Sequence, residues 1–292
     1  MPHNIVGLDH TLVGVADLEK AKQDYEKLGF TLTPRGSHIG WGTANYCIMF
    51  PDDYIELLGI VDPSKETNGL DVKLEGRGEG MLGIALSSDQ PEKTVASLNE
   101  AGLGEAKLHD LKRKLELEEG DVTPEFKLIR YPYQGMPLGG LFICHHLTPD
   151  LIRRPEWVVH ENGALYVQSV VVLVDDPVAL RDHYTELCGS LNVTMTDHTM
   201  TVRIGRLHLI FVAEKDIDLL FPGLVFSEEW PEFPHILSMG IAVENRAETA
   251  AYLEKAGFKF QDISNGALRV QPKDAAGVIL EFLEPHQEVK AQ

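Results

Sequence analysis

Glu56, in the run "YIELLGI" (54–60), is the first residue whose setting asks for a chemical explanation. It stands among Ile55, Leu57 and Leu58, and an ionised carboxylate is costly to bury there unless a cation or hydrogen-bond donors compensate it. A metal ion is one such compensation. Upstream, His10 lies in the apolar run "LDHTLVGV". Strand alternation puts His10, Leu12 and Gly14 on one face, as it does Tyr54, Glu56 and Leu58 in the later run. A single histidine near a strand start is more often exposed or hydrogen-bonded than a ligand, so residue type alone leaves both roles open.

Between these two runs, "HIGWGTANYCIMF" (38–50) alternates Trp41, Thr43, Asn45, Cys47 and Met49 onto one face and Ala44, Tyr46, Ile48 and Phe50 onto the other. With the first set facing a cavity, Thr43 and Asn45 are candidate substrate-binding residues and Trp41 an apolar wall. His38, in the preceding Gly-containing loop, is the nearest group for proton transfer, its alternative being an ordinary surface histidine. Arg35 and Arg130 could pair with a substrate carboxylate or simply sit at the surface.

Residues of this kind need strands to hold them, and the chain offers the same grammar four times. "LDHTLVGVADLEKAKQDYEKLGFTL" (8–32) is a strand followed by Asp17 as a helix N-cap, apolar residues at helical spacing and Gly29 as the stop. "ILSMGIAVENRAETAAYLEKAGFKF" (236–260) repeats this with Asn245 and Gly257. Weaker copies begin at 81 and at 165, the latter with Asp176 as cap and Pro177 at the first helical position. Each copy is followed by further strand-like runs, so the unit reads βαβββ. Such a unit exposes an apolar sheet face, and pairing two units covers it.

The expected fold is therefore α+β, with four βαβββ modules paired into two domains, 1–158 and 159–292. The Pro- and charge-marked stretch "LTPDLIRRPEWVVHENG" (147–163) reads as the linker. The charged stretch "KLHDLKRKLELEEGDVTPE" (107–125) reads as a surface insertion, a solvated loop or short exposed helix.

Composition narrows the partners. The 292 residues include 26 Lys and Arg against 45 Asp and Glu, a formal net charge of -19, and that field repels phosphate backbones and anionic lipid. Nucleic acid and membrane are not expected partners; a small-molecule substrate is. Three widely spaced cysteines make neither a disulfide framework nor a zinc knuckle, and with no secretion signal or membrane span in view the expected setting is cytoplasmic. No nucleophile elbow, Walker loop or dinucleotide fingerprint is present; "EGRGEG" (75–80) lacks the strand-then-helix context of a phosphate cradle and reads as a turn.

"LDHTLVGVADLEKA", "HIGWGTANYCIMFPDDYIELLGI" and "GVILEFLEP" resemble the vicinal oxygen chelate (VOC) superfamily, and within it the glyoxalase-like domain proteins. The resemblance implies paired modules curling their mixed and antiparallel sheets around a shared cavity. It also implies a divalent metal held from the first and last strands of a module, the positions of His10 and Glu56. A third ligand is then needed, and the second copy must supply it. Leu82 stands where His10 would, whereas "LFICHHLTP" offers His146, with His145 in reserve and Cys144 as a less suitable thiol; alternation groups Phe142, Cys144 and His146. A set of His10, Glu56 and His146 suits Fe, Mn, Ni, Co or Zn.

In the second half the matching positions are Ser169 and Ser238, and Glu281 alone keeps a ligand type, so no metal site is expected there. The expected function is a metal-dependent isomerase or lyase that stabilises an enediolate-like state, with Glu56 and His38 as its catalytic groups. Extradiol-type Fe(II) dioxygenase chemistry and metal-free sequestration of a small molecule are the alternatives. Paired modules in one chain remove the need for a homodimer without forbidding it.

Overall fold

The structure is a computed structural model describing residues 1–130, 141–222 and 233–285. The first half contains β1 (Ile5–Val15), α1 (Leu18–Lys27), β2 (Gly36–His38), β3 (Thr43–Met49), β4 (Tyr54–Ile60), α2 (Leu70–Arg77), β5 (Gly80–Ser88), α3 (Pro91–Glu100), β6 (Lys107–Leu115), β7 (Glu125–Arg130) and β8 (Phe142–His146). The second contains β9 (Ala164–Val174), α4 (Arg181–Cys188), β10 (Val193–Thr196), β11 (Thr199–Ile204), β12 (Leu207–Ala213), α5 (Ile217–Leu220), β13 (His235–Val243), α6 (Arg246–Lys255), β14 (Phe260–Asp262), β15 (Leu268–Val270) and β16 (Ile279–Leu283).

Four βαβββ units are visible in the strand order. The first eight strands close into a barrel, β1-β4-β3-β2-β6-β7-β8-β5, and the second eight form an open sheet, β10-β11-β12-β9-β13-β16-β15-β14. Within each unit the first strand pairs parallel with the last, and units join through their first strands, β1 with β5 and β9 with β13, antiparallel. A second seam, β2 with β6, closes the barrel. Two curled sheets with helices packed outside them give the mixed α+β architecture expected of VOC modules.

Two helices, α1 and α6, start at side-chain caps, whereas α4 begins at Arg181, beyond the expected Asp176 cap. Asp17 accepts a hydrogen bond from Lys20 N, and Asn245 accepts from Ala247 N and Glu248 N, satisfying free helix-end donors. Leu18, Ala21 and Tyr25 of α1 are buried together in the main core, at the 3- and 4-residue spacing of one helix face. Tyr25 also donates its hydroxyl to Ala275 O at 3.2 Å, tying α1 to the second half of the chain. No helix among the described residues is long and apolar enough to cross a membrane.

The first half of the stretch 107–125 differs from its expected form, while 116–124 is a largely exposed loop as expected. Lys107–Leu115 is a barrel strand, paired with β2 on one side and β7 on the other. Its charged residues do not mark a solvated insertion. Lys107, His109, Leu111 and Arg113, at alternate positions, line the barrel's cavity, so the polar pattern belongs to a strand with one face toward that space.

Candidate active site

An irregularity in β1 builds the centre of the site. Leu8 pairs with Leu86 and His10 with Ala85, so β1 advances two residues while β5 advances one. Asp9 is the extra residue of a β-bulge, which upsets strict alternation and re-aims side chains. His10 Nδ1 donates to Asp9 Oδ1 at 2.6 Å, and His146 Nε2, at the end of β8, lies 3.2 Å from the same oxygen. Asp9 is 1% exposed. Burial would raise its carboxyl, but His146 and His10 beside it prevail and hold it well below the usual carboxylate range.

With Nδ1 engaged by Asp9, His10 presents Nε2 on its other side, 3.6 Å from Glu56 Oε2. Tyr54 stacks on the imidazole at 4.5 Å between ring centroids, and Phe142 meets it edge-on at 5.4 Å, so two aromatic contacts hold the ring. Glu56 is buried, and burial by itself raises its carboxyl; His10, His38, Arg113 and the Asn45 amide bring it below the ordinary value. Asn45 Nδ2 donates to Glu56 Oε1 at 2.6 Å, while Arg113 donates to Asn45 Oδ1 at 2.8 Å. Both ends of the Asn45 amide are thus used within the protein.

His38 completes this wall. Its Nδ1 is 2.9 Å from Thr43 Oγ1 and its Nε2 is 4.0 Å from Glu56 Oε1. Burial lowers its pKa, an effect that Glu56 opposes and Arg113 assists. His38 is therefore neutral at neutral pH, as a proton acceptor should be.

A cavity of about 760 Å³ opens onto these groups. Of the residues singled out in the sequence, His10, His38, Trp41, Thr43, Asn45, Glu56, Arg130 and Cys144 line it. Cys47 and Met49 share the Asn45 face but end in an apolar cluster with Tyr54, Leu115 and Trp157, because the cavity reaches only the first half of β3. His146 is brought to Asp9 rather than to the His10–Glu56 pair, and His145 Nδ1 donates outward to Ser88 O at 2.8 Å. Arg35 pairs with Glu116 at 3.1 Å. Leu82 lines the wall where a second first-strand ligand would stand.

Two functional-looking residues had no part in the sequence reading, Asp9 and Arg113. The bulge hides the first from an alternation argument, and the charged surroundings of β6 hide the second.

The donors suit a divalent metal. A gap of 3.6 Å between an imidazole nitrogen and a carboxylate oxygen is too long for a hydrogen bond, yet metal bonds of about 2.1 Å from each atom would meet across it. The Asp9 carboxylate behind His10 is the usual outer partner of a ligating imidazole. Alongside, Asp9, Cys144 and His146 each bring one ligand atom within 4.8 Å of the others. The Cys144 thiol is pushed well above its usual pKa, by burial first and by Asp9 next, which disfavours the thiolate that a metal would need.

In the open sheet the equivalent carboxylate is already matched. Glu281 Oε1 receives Arg269 Nε at 2.8 Å and NH2 at 2.7 Å, and Arg269 is fully buried against the Phe221 ring.

Fold and site together define a VOC-type protein. The family description "Glyoxalase-like domain" matches residues 8–188, more than half of the chain, and the protein belongs to that family. No curated protein matches its sequence. Among solved structures it is similar to a hypothetical protein from Staphylococcus aureus (TM-score 0.66, 13% identity, 96% of this chain and 100% of that one). It is also similar to a variant of 4-hydroxymandelate synthase from Streptomyces coelicolor (TM-score 0.58, 12% identity, 97% and 92%). A third is a xylose isomerase-like TIM barrel/4-hydroxyphenylpyruvate dioxygenase fusion protein (TM-score 0.58, 11% identity), where the match takes in all of this chain and 51% of the other. At these identities the likeness establishes the fold alone.

Proposed function

We propose that this chain is a metal-dependent enzyme acting on a small substrate with two adjacent oxygens, by isomerase or lyase chemistry. The observation that carries the reading is the Asp9–His10–Glu56 line, in which a buried carboxylate orients an imidazole toward a second carboxylate across 3.6 Å at the cavity wall. His10 and Glu56 would hold the metal, while His146, 3.2 Å from Asp9, would support the Asp9–His10 pair from behind. When bound, a divalent metal polarises a substrate oxygen and stabilises negative charge developing on it. The catalytic domain of this proposal is 1–158, with 159–292 as a metal-free companion.

The protein's own groups have separable tasks. Asp9 holds His10 in the tautomer that bears its proton on Nδ1. Arg113 and Asn45 keep Glu56 ionised and oriented. His38, neutral and 4.0 Å from Glu56 through Nε2, accepts a substrate proton at Nε2 and returns it. Trp41, Tyr54 and Phe142 supply apolar walls that exclude water from the reacting end.

A metal-free binding protein is the second reading, favoured by Leu82 on the wall in place of a ligand. Dioxygenase chemistry is a variant of the first reading that requires the metal to be Fe(II). Elemental analysis of protein purified without added metal or chelator, beside His10→Ala and Glu56→Ala, separates the two. About one equivalent of a transition metal, lost in both variants, is the expected result. A wild type that is empty, and gains no thermal stability from Mn(II), Fe(II), Ni(II), Co(II) or Zn(II), would overturn the enzyme reading.

A further inference from the structure

The chain carries a net charge of -19, yet among the described residues its cavity is lined by Lys73, Lys107, Lys112, Arg113 and Arg130 against two carboxylates, Glu56 and Glu105. Cations gathered on the wall of a strongly acidic protein raise the local concentration of anions.

Two of these cations are already committed. Arg113 donates to Asn45 and Cys47, and Lys112 pairs with Glu125 at 2.7 Å. Lys107 and Arg130 differ, because they face each other directly across the β6–β7 ladder. Like charges at such a position destabilise a sheet. Glu105 pairs with Lys107 at 3.1 Å, while Arg130 has no carboxylate within ion-pair distance among the described residues. Lys73, on α2, likewise has Arg77 as its charged neighbour rather than a carboxylate. One exposed carboxylate thus serves two opposed cations, and an anion seated between them would complete the arrangement.

On the same strands, Leu111, Phe126 and Leu128 continue the cavity wall, joined by Phe142. A charged seat thus adjoins an apolar trough that leads into the cavity holding Glu56 and His10.

We propose that the cavity takes an amphipathic anion, a small molecule whose carboxylate or phosphate is seated by Lys107 and Arg130 and whose apolar body lies along Phe126, Leu128 and Phe142. This deepens the reading above by naming a substrate class, and it rests on that reading for the identity of the reacting end.

The test uses the full chain after chelator treatment, so that anion binding is measured independently of any metal. Fluorescence titrations at low salt compare 2-naphthoate with neutral 2-naphthamide, and 2-naphthyl phosphate with neutral 2-naphthol. At least one anion is expected to bind ten-fold or more tightly than its neutral partner, with the advantage shrinking as salt rises. The tighter anion tells carboxylate from phosphate.

Lys107→Gln and Arg130→Gln are each expected to weaken that anion at least five-fold and to leave the neutral partner unchanged. Lys255→Gln, at an exposed position on α6, is expected to have no effect. Equal affinity for anion and neutral partner, no binding of either anion, or equal losses in all three lysine and arginine variants would overturn the proposal. His10→Ala is expected to keep anion binding; if this holds while the metal analysis comes out empty, the seat stands and the metal reading falls.

Discussion

Asp9 and His10 are neighbours in the chain, yet their side chains meet, with His10 Nδ1 2.6 Å from Asp9 Oδ1. In a regular strand they would point to opposite faces. The bulge in β1 makes the contact, and through it the orientation of the imidazole at the cavity.

Asp9→Asn keeps the shape and an acceptor oxygen while removing the charge. Metal affinity is expected to fall about 10- to 100-fold, read by competition with a chromophoric chelator, with far-ultraviolet circular dichroism unchanged. Unaltered affinity would show that Asp9 plays no part in preparing His10.

Gly36 on β2 is a second sensitive point. A Cβ there would stand 2.1 Å from Asn45 Oδ1 and 2.6 Å from Arg113 NH1, so Gly36→Ala must displace the Arg113–Asn45–Glu56 chain. Weaker metal binding is expected, by ten-fold or more, and Gly36→Ser should be at least as impaired. Normal binding in both would mean that Glu56 does not need this support.

Arg269 and Glu281 test the open sheet. Arg269→Met leaves a buried carboxylate without its cation, which costs about 3–5 kcal/mol. Arg269→Met combined with Glu281→Leu removes both charges and should recover much of that loss. Urea unfolding of the three proteins reads the difference; a double variant no better than the single would contradict the account.

Asp53, just before β4, gives a pH effect of unusual sign. Its Oδ1 accepts from Val167 N of β9 at 3.1 Å, and burial pushes its carboxyl up to about 7, against 3.8 ordinarily. Between these values the folded chain holds a proton that the unfolded chain has released. The contribution is therefore undiminished below about pH 4 and is lost as pH rises toward 7, on the order of 4 kcal/mol in all. Asp53→Asn removes this slope, so the variant should gain on the wild type steadily from pH 4 to 7. Parallel stability curves for the two proteins would refute it.

Much of this was legible in the residues. Caps at Asp17 and Asn245, the stops at Gly29 and Gly257 and the recurrence of strand after helix gave the four modules, because these signals are local. His10 and Glu56 are paired through the family resemblance, which marks the first and last strands of a module as ligand positions. What stayed hidden depended on exceptions to alternation and on context. The bulge turned Asp9 toward His10, and His146 came to rest on Asp9 rather than beside Glu56. Strand β6 escaped notice because a strand facing a charged cavity lacks the apolar alternation by which strands are recognised. The Arg269–Glu281 pair joins residues on adjacent strands, a register that composition does not reveal.

The barrel's two seams have a further consequence. His10, His38, Asn45 and Glu56 all come from the first module, whereas Lys107, Phe126, Arg130 and Phe142 come from the second. On the proposed reading, the first module carries the reactive groups and the second carries the anion seat. Substitutions at Lys107, Phe126 or Arg130 would then change which molecule is admitted, whereas Arg113 and Phe142, which touch Asn45 and His10, tie the second module to the first.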